Sequence, residues 1–207
     1  MRCFFKVVAS VVIAICPLTG FAATFGETVM VPKLLANLEP DTQLHWLLER
    51  HLSAPAEDAP PPAGGWRRLL AEEGELLTLT ALSDGKLVVR DETRQLAEFP
   101  VAAPHPILLM FLENVMRSVS QETGGSPHYI RNRMRTTLGA AEVHDGRLSI
   151  APFRDDPSKD RFGAFADLEI EVQWEPENPA ALLYLSAKLP NDPERYSEIL
   201  TLQPKGE

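Results

Sequence analysis

The sequence predicts an α+β fold in which a curved antiparallel sheet, or an incomplete barrel, carries a two-helix insertion packed on its concave face. Between Pro104 and Gly139, apolar residues recur at three- and four-residue spacing, which is typical of helices. On either side of this stretch, apolar and polar residues alternate with a period of two, which is typical of strands. Because both helices need a sheet face to cover their apolar stripes, the two patterns predict a single domain.

The predicted helix pair is delimited by glycines and a proline. The first helix stops at Gly124-Gly125, and Ser126-Pro127 then offers an N-cap followed by proline at the first helical position. The second helix ends at Gly139. The apolar stripes consist of Ile107, Leu108, Phe111, Leu112, Val115 and Val119 in the first helix, and of Ile130, Met134 and Leu138 in the second.

The strands are predicted from alternation and from turn signals. Asp84-Gly85 and Asp145-Gly146 are hairpin signals, because tight turns need positive φ angles that glycine adopts without steric cost. Ala166 to Trp174 is the most regular strand, with one apolar and one charged face. The strands after it are joined by loops too short for parallel crossovers, so we predict an antiparallel meander.

Residues 41–52 fit two patterns. Asp41 is a suitable cap for a helix in which Leu44, Leu48 and Leu52 share a face. The same residues also alternate as a strand would, with Trp46 beside Leu44 and Leu48 on one side. The spacing slightly favours the helix.

The first 22 residues are predicted to be an export signal. Arg2 and Lys6 supply the positive start, and Val7 to Cys16 form an apolar run of about ten residues, within the usual range for a signal peptide. Small residues before position 23 place cleavage after Ala22, with a retained anchor as the alternative. The remaining residues, 23–207, are predicted to form one periplasmic domain, in which the proline-rich residues 53–65 are a surface loop.

Composition argues against several classes of function. The chain has a net charge of −9 at pH 7, and loss of the two basic residues in the signal makes the mature protein more acidic, which argues against nucleic acid as a partner. Both cysteines fall within the predicted signal, so no thiolate remains as a nucleophile or metal ligand. His45, Glu49 and His51 lack the four-residue histidine spacing of a helical zinc site. We therefore predict no metal, no cofactor and no catalytic residue, and after cleavage of the signal no integral membrane segment.

Apolar residues are in surplus on both faces of some strands. Together with the helix stripe and the methionines of the helices, this surplus predicts an apolar cavity between the sheet and the helices that accepts a lipid or a lipidated partner, with a fully packed core as the alternative. The lipid-binding candidates are Leu77, Leu79, Phe111, Val115, Met134, Leu183 and Leu185.

The only local basic cluster lies on the second predicted helix. Arg131 and Arg135 share one helix face, whereas Arg133 points away. These two arginines are candidates for docking an acidic protein partner or a lipid headgroup, and a solvated face paired with neighbouring carboxylates is the alternative.

The run Leu82-Ser83-Asp84-Gly85-Lys86-Leu87, followed by a strand ending at Pro100-Val101 and then by helix, hairpin and meander, resembles the periplasmic outer-membrane lipoprotein carrier proteins. The resemblance covers about residues 75–204. It implies an incomplete barrel whose apolar concave side, covered by helices, accepts acyl chains. The family's functional arginine matches no position here, so the resemblance supplies no binding residue. The expected function is therefore non-enzymatic lipid binding in the periplasm.

Overall fold

The computed structural model describes residues 24–52 and 74–204. The predicted signal peptide, residues 1–22, and the proline-rich loop, residues 53–65, lie outside these described residues.

Eight strands form one open antiparallel sheet, which confirms the α+β class and is consistent with an unclosed, curved sheet. The order across the sheet is β4-β3-β2-β1-β8-β7-β6-β5, so each half is a meander and the first strand pairs with the last. The strands β1 to β8 span Gln43–Leu52, Leu76–Ala81, Lys86–Arg90, Gln95–Pro100, Arg147–Ile150, Glu169–Glu175, Asn178–Lys188 and Tyr196–Leu202.

The predicted helix pair is present between β4 and β5. Helix α2 spans Pro106–Thr123 and helix α3 spans Pro127–Ala140, each with proline in its first turn. A short helix, α1, covers Phe25–Thr28, and a 3₁₀ segment covers Lys159–Asp167. Proline is favoured in a first helical turn because its missing N–H would have no partner there.

Helix α2 contributes to the same apolar core as the sheet. Its residues Ile107, Phe111 and Val115 are fully buried, as are Trp46 and Leu48 of β1. The Trp46 indole N–H donates a hydrogen bond of 2.8 Å to the carbonyl oxygen of Leu182 on β7, which satisfies its polar atom within the core. Helix α3 lies against α1 and α2.

The favoured helix for residues 41–52 is wrong, since these residues form β1. This strand lies in the middle of the sheet and pairs with β2 on one edge and β8 on the other. Leu47 is half-buried although it points away from Trp46 and Leu48. A central strand with apolar residues on both faces lacks clean alternation, and its leucine spacing then imitates a helix stripe.

The first predicted hairpin turn connects β2 and β3, as expected, whereas the second is preceded only by an isolated bridge between His144 and Arg147 and not by a strand. Gly85 has a φ of 79°, and Asp145 and Gly146 have φ values of 47° and 71°. Gly146 is required for a second reason, because a Cβ atom there would collide with the carbonyl oxygen of Trp174. The backbone N–H of Trp174 donates to the carbonyl oxygen of Gly146 at 2.8 Å, which draws the two chains together.

Candidate functional site

A pocket of about 710 Å³ lies where α1, α2 and α3 meet the chain around Phe99. Its lining is mostly apolar and rich in methionine. The side chains that form it include Phe25, Met30, Phe99, Leu109, Met110, Leu112, Met116, Met134 and Leu138.

Helix α2 forms one wall of the pocket because it is apolar over more than half of its circumference. Ile107 and Phe111 belong to the buried core, while Leu109 and Leu112 line the pocket and remain only half-buried. Such a broad apolar surface must pack against other elements on two sides of the helix. The core lies on one side, and the apolar stripe of helix α3 packs against part of the other.

The N-terminal segment closes another side of the pocket. The backbone N–H of Phe25 donates to the carbonyl oxygen of Ala141 at 3.3 Å, and Thr24 pairs with Glu142 in an isolated bridge. Helix α1 begins with a capping box, in which the Glu27 carboxylate accepts hydrogen bonds from the backbone N–H and the hydroxyl of Thr24. The hydrogen bonds from Thr24 lower the pKa of Glu27. The contacts of Phe25 with Ala141 and of Thr24 with Glu142 place α1 beside the end of α3.

Three charged residues, Glu113, Arg131 and Arg135, also line the pocket. The Arg131 guanidinium donates to both carboxylate oxygens of Glu113, with its terminal nitrogen 3.1 Å from Oε1 and 3.0 Å from Oε2. Arg117 donates to the same carboxylate from within α2, at 3.0 Å. Arg135 is exposed and forms no ion pair with any residue in the described ranges. The charged part of the lining therefore consists of two guanidiniums and one carboxylate, and that carboxylate already accepts hydrogen bonds from Arg131 and Arg117.

Arg133, the third arginine of the predicted cluster, belongs to a separate network. Its Nε lies 3.1 Å from the buried carboxylate of Asp156 and donates to the carbonyl oxygen of Pro152 at 3.0 Å. The Tyr129 hydroxyl donates to the same carboxylate at 2.8 Å, and this hydrogen bond raises the pKa of Tyr129. This network ties α3 to the loop before the 3₁₀ segment and leaves Arg133 outside the pocket.

Of the residues predicted from sequence, Met134, Arg131 and Arg135 come together at the pocket. Leu183 is 37% exposed on β7. The other five lipid-binding candidates are at most 1% exposed and lie in the continuous apolar core, namely Leu77, Leu79, Phe111, Val115 and Leu185. Lipid binding stays a prediction for all of them.

Sequence reasoning missed the pocket residues Phe25, Met30 and Phe99. The first two lie in a stretch with no regular period, and only their size and apolarity marked them as candidates for burial. Phe99 belongs to the predicted strand that ends at Pro100-Val101. Which element its side chain contacts depends on the tertiary fold and cannot be read from that strand alone. Met110 and Met116, which the sequence placed with a cavity, do line the pocket.

A buried polar cluster links α2 to the centre of the sheet. The Asn114 amide nitrogen lies 2.7 Å and 2.6 Å from the two carboxylate oxygens of Glu198 on β8. Arg50 on β1 places its Nε 3.5 Å from the same carboxylate. All three side chains are buried, and removal of either charge would leave the other in a medium of low dielectric.

His105 lies directly before α2 and is completely buried. Its ring meets the Trp46 ring edge-on, with 5.7 Å between the centroids. Neither ring nitrogen has a hydrogen-bond partner of good geometry among the described residues. Burial lowers the pKa of His105 to about 3, and the nearby backbone of Ala180 offsets only part of that effect. The ring is therefore neutral at physiological pH.

Within residues 24–52 and 74–204, no group of three or more His, Cys, Asp or Glu side chains is arranged to hold a metal ion. None of the helices in these ranges combines the length and apolarity needed to cross a membrane. Comparison of the chain with protein-family models, with curated proteins and with solved structures finds no match.

Proposed function

We propose that this protein is a non-enzymatic periplasmic protein that binds the acyl chain of a lipid or of a lipidated partner. The pocket between α1, α2 and α3 is the observation that carries the proposal. Its volume of about 710 Å³ lies within the range of roughly 300–1,000 Å³ typical of small-molecule sites. Export through the predicted signal and relationship to the lipoprotein carriers are parts of the same proposal.

The chemistry of the lining suits an acyl chain. Met30, Met110, Met116 and Met134 contribute flexible, polarisable side chains, which adapt to irregular apolar ligands. Each methylene that leaves water for such a site contributes about 0.8 kcal/mol to binding. An acyl chain therefore gains affinity from length alone, without a catalytic or metal-binding group.

In this proposal the helix pair covers the concave face of the sheet, as in an incomplete barrel. The hydrogen bond from Asn114 to Glu198 supports that arrangement for α2. The buried stripe of α2 then packs on the sheet, and the opposite side of the helix is left for the ligand.

The proposal is tested by displacement of a neutral apolar fluorophore, N-phenyl-1-naphthylamine, with acyl chains of increasing length. Gly139 lines the pocket, and a Cβ atom there meets nothing within 4 Å, so a Gly139→Trp variant adds a large ring in open space beside the site. We expect Gly139→Trp to weaken fluorophore binding at least fivefold. The matched control Gly139→Ala should bind normally and be more stable by about 0.5–1 kcal/mol, because alanine favours the helix.

Native mass spectrometry of the gently purified protein provides a second test. A bound mass that disappears on delipidation supports the proposal. Fluorophore binding that is absent in the wild type, together with a clean unliganded mass, contradicts it.

Docking of an acidic protein partner through Arg131 and Arg135 is a second candidate. The exposure of both arginines on one face of α3 favours it. Reversing both charges to glutamate should then abolish capture of the partner and leave the melting temperature unchanged. If fluorophore binding is lost as well, the face and the pocket act as one site.

A further inference from the structure

We infer that the pocket selects single-chain amphiphiles with an anionic head, and that Arg135 is the residue that contacts the head. The inference rests on the proposed function and adds the chemical class of the ligand. It is carried by the position of an exposed guanidinium at the edge of an apolar pocket.

The charge of the pocket lining indicates the kind of ligand head that it accepts. The lining contains two guanidiniums, those of Arg131 and Arg135, and one carboxylate, that of Glu113, so it carries more positive than negative charge. This excess is unusual in a chain whose net charge is −9. A positive group beside an apolar cavity is complementary to a ligand that joins an apolar chain to an anion.

The two arginines differ in their ion-pair partners. Arg131 is held by both carboxylate oxygens of Glu113, at 3.0 Å and 3.1 Å, so its Nε and one terminal nitrogen are already engaged. Arg135, one helical turn later, has no ion-pair partner among the described residues. Its planar guanidinium can therefore donate two parallel hydrogen bonds to a carboxylate.

The size of the pocket indicates how many acyl chains the ligand carries. The volume of about 710 Å³ suits one ligand of moderate size. Arg135 provides one polar contact at the edge of the pocket. A ligand with one acyl chain and one anionic head therefore matches both the volume of the pocket and this contact.

The experiment compares a fatty acid with its methyl ester, since the two share an acyl chain and differ in charge. Displacement of N-phenyl-1-naphthylamine is measured at low and high salt for the wild type, Arg135→Gln and Arg161→Gln. Arg161 is an exposed arginine on the 3₁₀ segment and does not line the pocket, so it is the matched control. Thermal melting of each variant checks that the fold is retained.

We expect the wild type to bind the acid about three- to tenfold more tightly than the ester at low salt, as for one partly exposed charge-assisted contact. Arg135→Gln should abolish this preference, whereas Arg161→Gln should keep it. Equal binding of acid and ester by the wild type, or a preference that survives in Arg135→Gln, overturns the inference and leaves the proposed function standing. Failure of both ligands to displace the fluorophore contradicts the proposed function itself.

Discussion

Replacing His105 by phenylalanine should remove a large part of the protein's loss of stability in mild acid. The imidazole is fully buried against Trp46, and its pKa lies at about 3 instead of 6.5. As the pH falls, the unfolded chain therefore binds this proton before the folded chain does. The contribution of the neutral ring to stability is complete above about pH 6.5 and is lost progressively as the pH falls toward about 3.

The magnitude follows from the two pKa values. A shift from 6.5 to about 3 corresponds to a total of about 5 kcal/mol in the free energy of unfolding. Between pH 7 and pH 4.5, the same linkage gives a loss of about 2.5 kcal/mol. Phenylalanine keeps a flat ring against Trp46 but has no proton to bind, so this part of the pH dependence disappears in His105→Phe.

Urea unfolding followed by tryptophan fluorescence at several pH values between 7 and 4.5 measures the effect. Comparison of variants cancels the contribution of carboxylates that titrate in the same range. The exposed His128, replaced by glutamine, is the control and should leave the wild-type slope unchanged. If His105→Phe loses as much stability as the wild type over this range, the ring is not held neutral in the core and the reasoning is wrong.

Two further predictions concern the core and a turn. Arg50→Met should cost about 3–5 kcal/mol because it removes the cation that Arg50 places beside the buried carboxylate of Glu198, and adding Glu198→Gln should restore at least half of that loss. Equal urea midpoints for the single and double variants would contradict this account. Gly146→Ala should destabilise the protein by about 1–3 kcal/mol. The φ of 71° at this position disfavours a side chain, and the added Cβ would collide with the carbonyl oxygen of Trp174. An unchanged melting temperature would show that the turn relaxes freely.

The elements with a clean period were predictable from sequence. Helix α2 and helix α3 were bounded by proline and glycine, and strand β6 alternates strictly through Ile170 and Val172, so local pattern and tertiary burial agree. Strand β1 was not predictable in the same way, because the half-buried Leu47 places an apolar side chain on its second face and weakens the alternation on which the assignment depends.

The candidate site was predictable only in part, for a related reason. A surplus of apolar residues indicated a cavity, and Met134 and Arg135 were among the named candidates. Sequence periodicity shows which side of an element is apolar but not which element covers it. Consequently Leu79 and Phe111, which have the same apolar character, became core, whereas Phe25 and Met30 from an unpatterned stretch line the pocket.

The pairing of β1 with β8 has a consequence for how the chain matures. Residues 43–52 receive their second neighbouring strand only from residues 196–202, so the two meanders cannot join before residues 196–202 have been synthesised. A nascent chain of this kind stays open along the middle of its sheet while it is still on the ribosome. If the chain is exported as proposed, this late joining favours its passage before the sheet is complete.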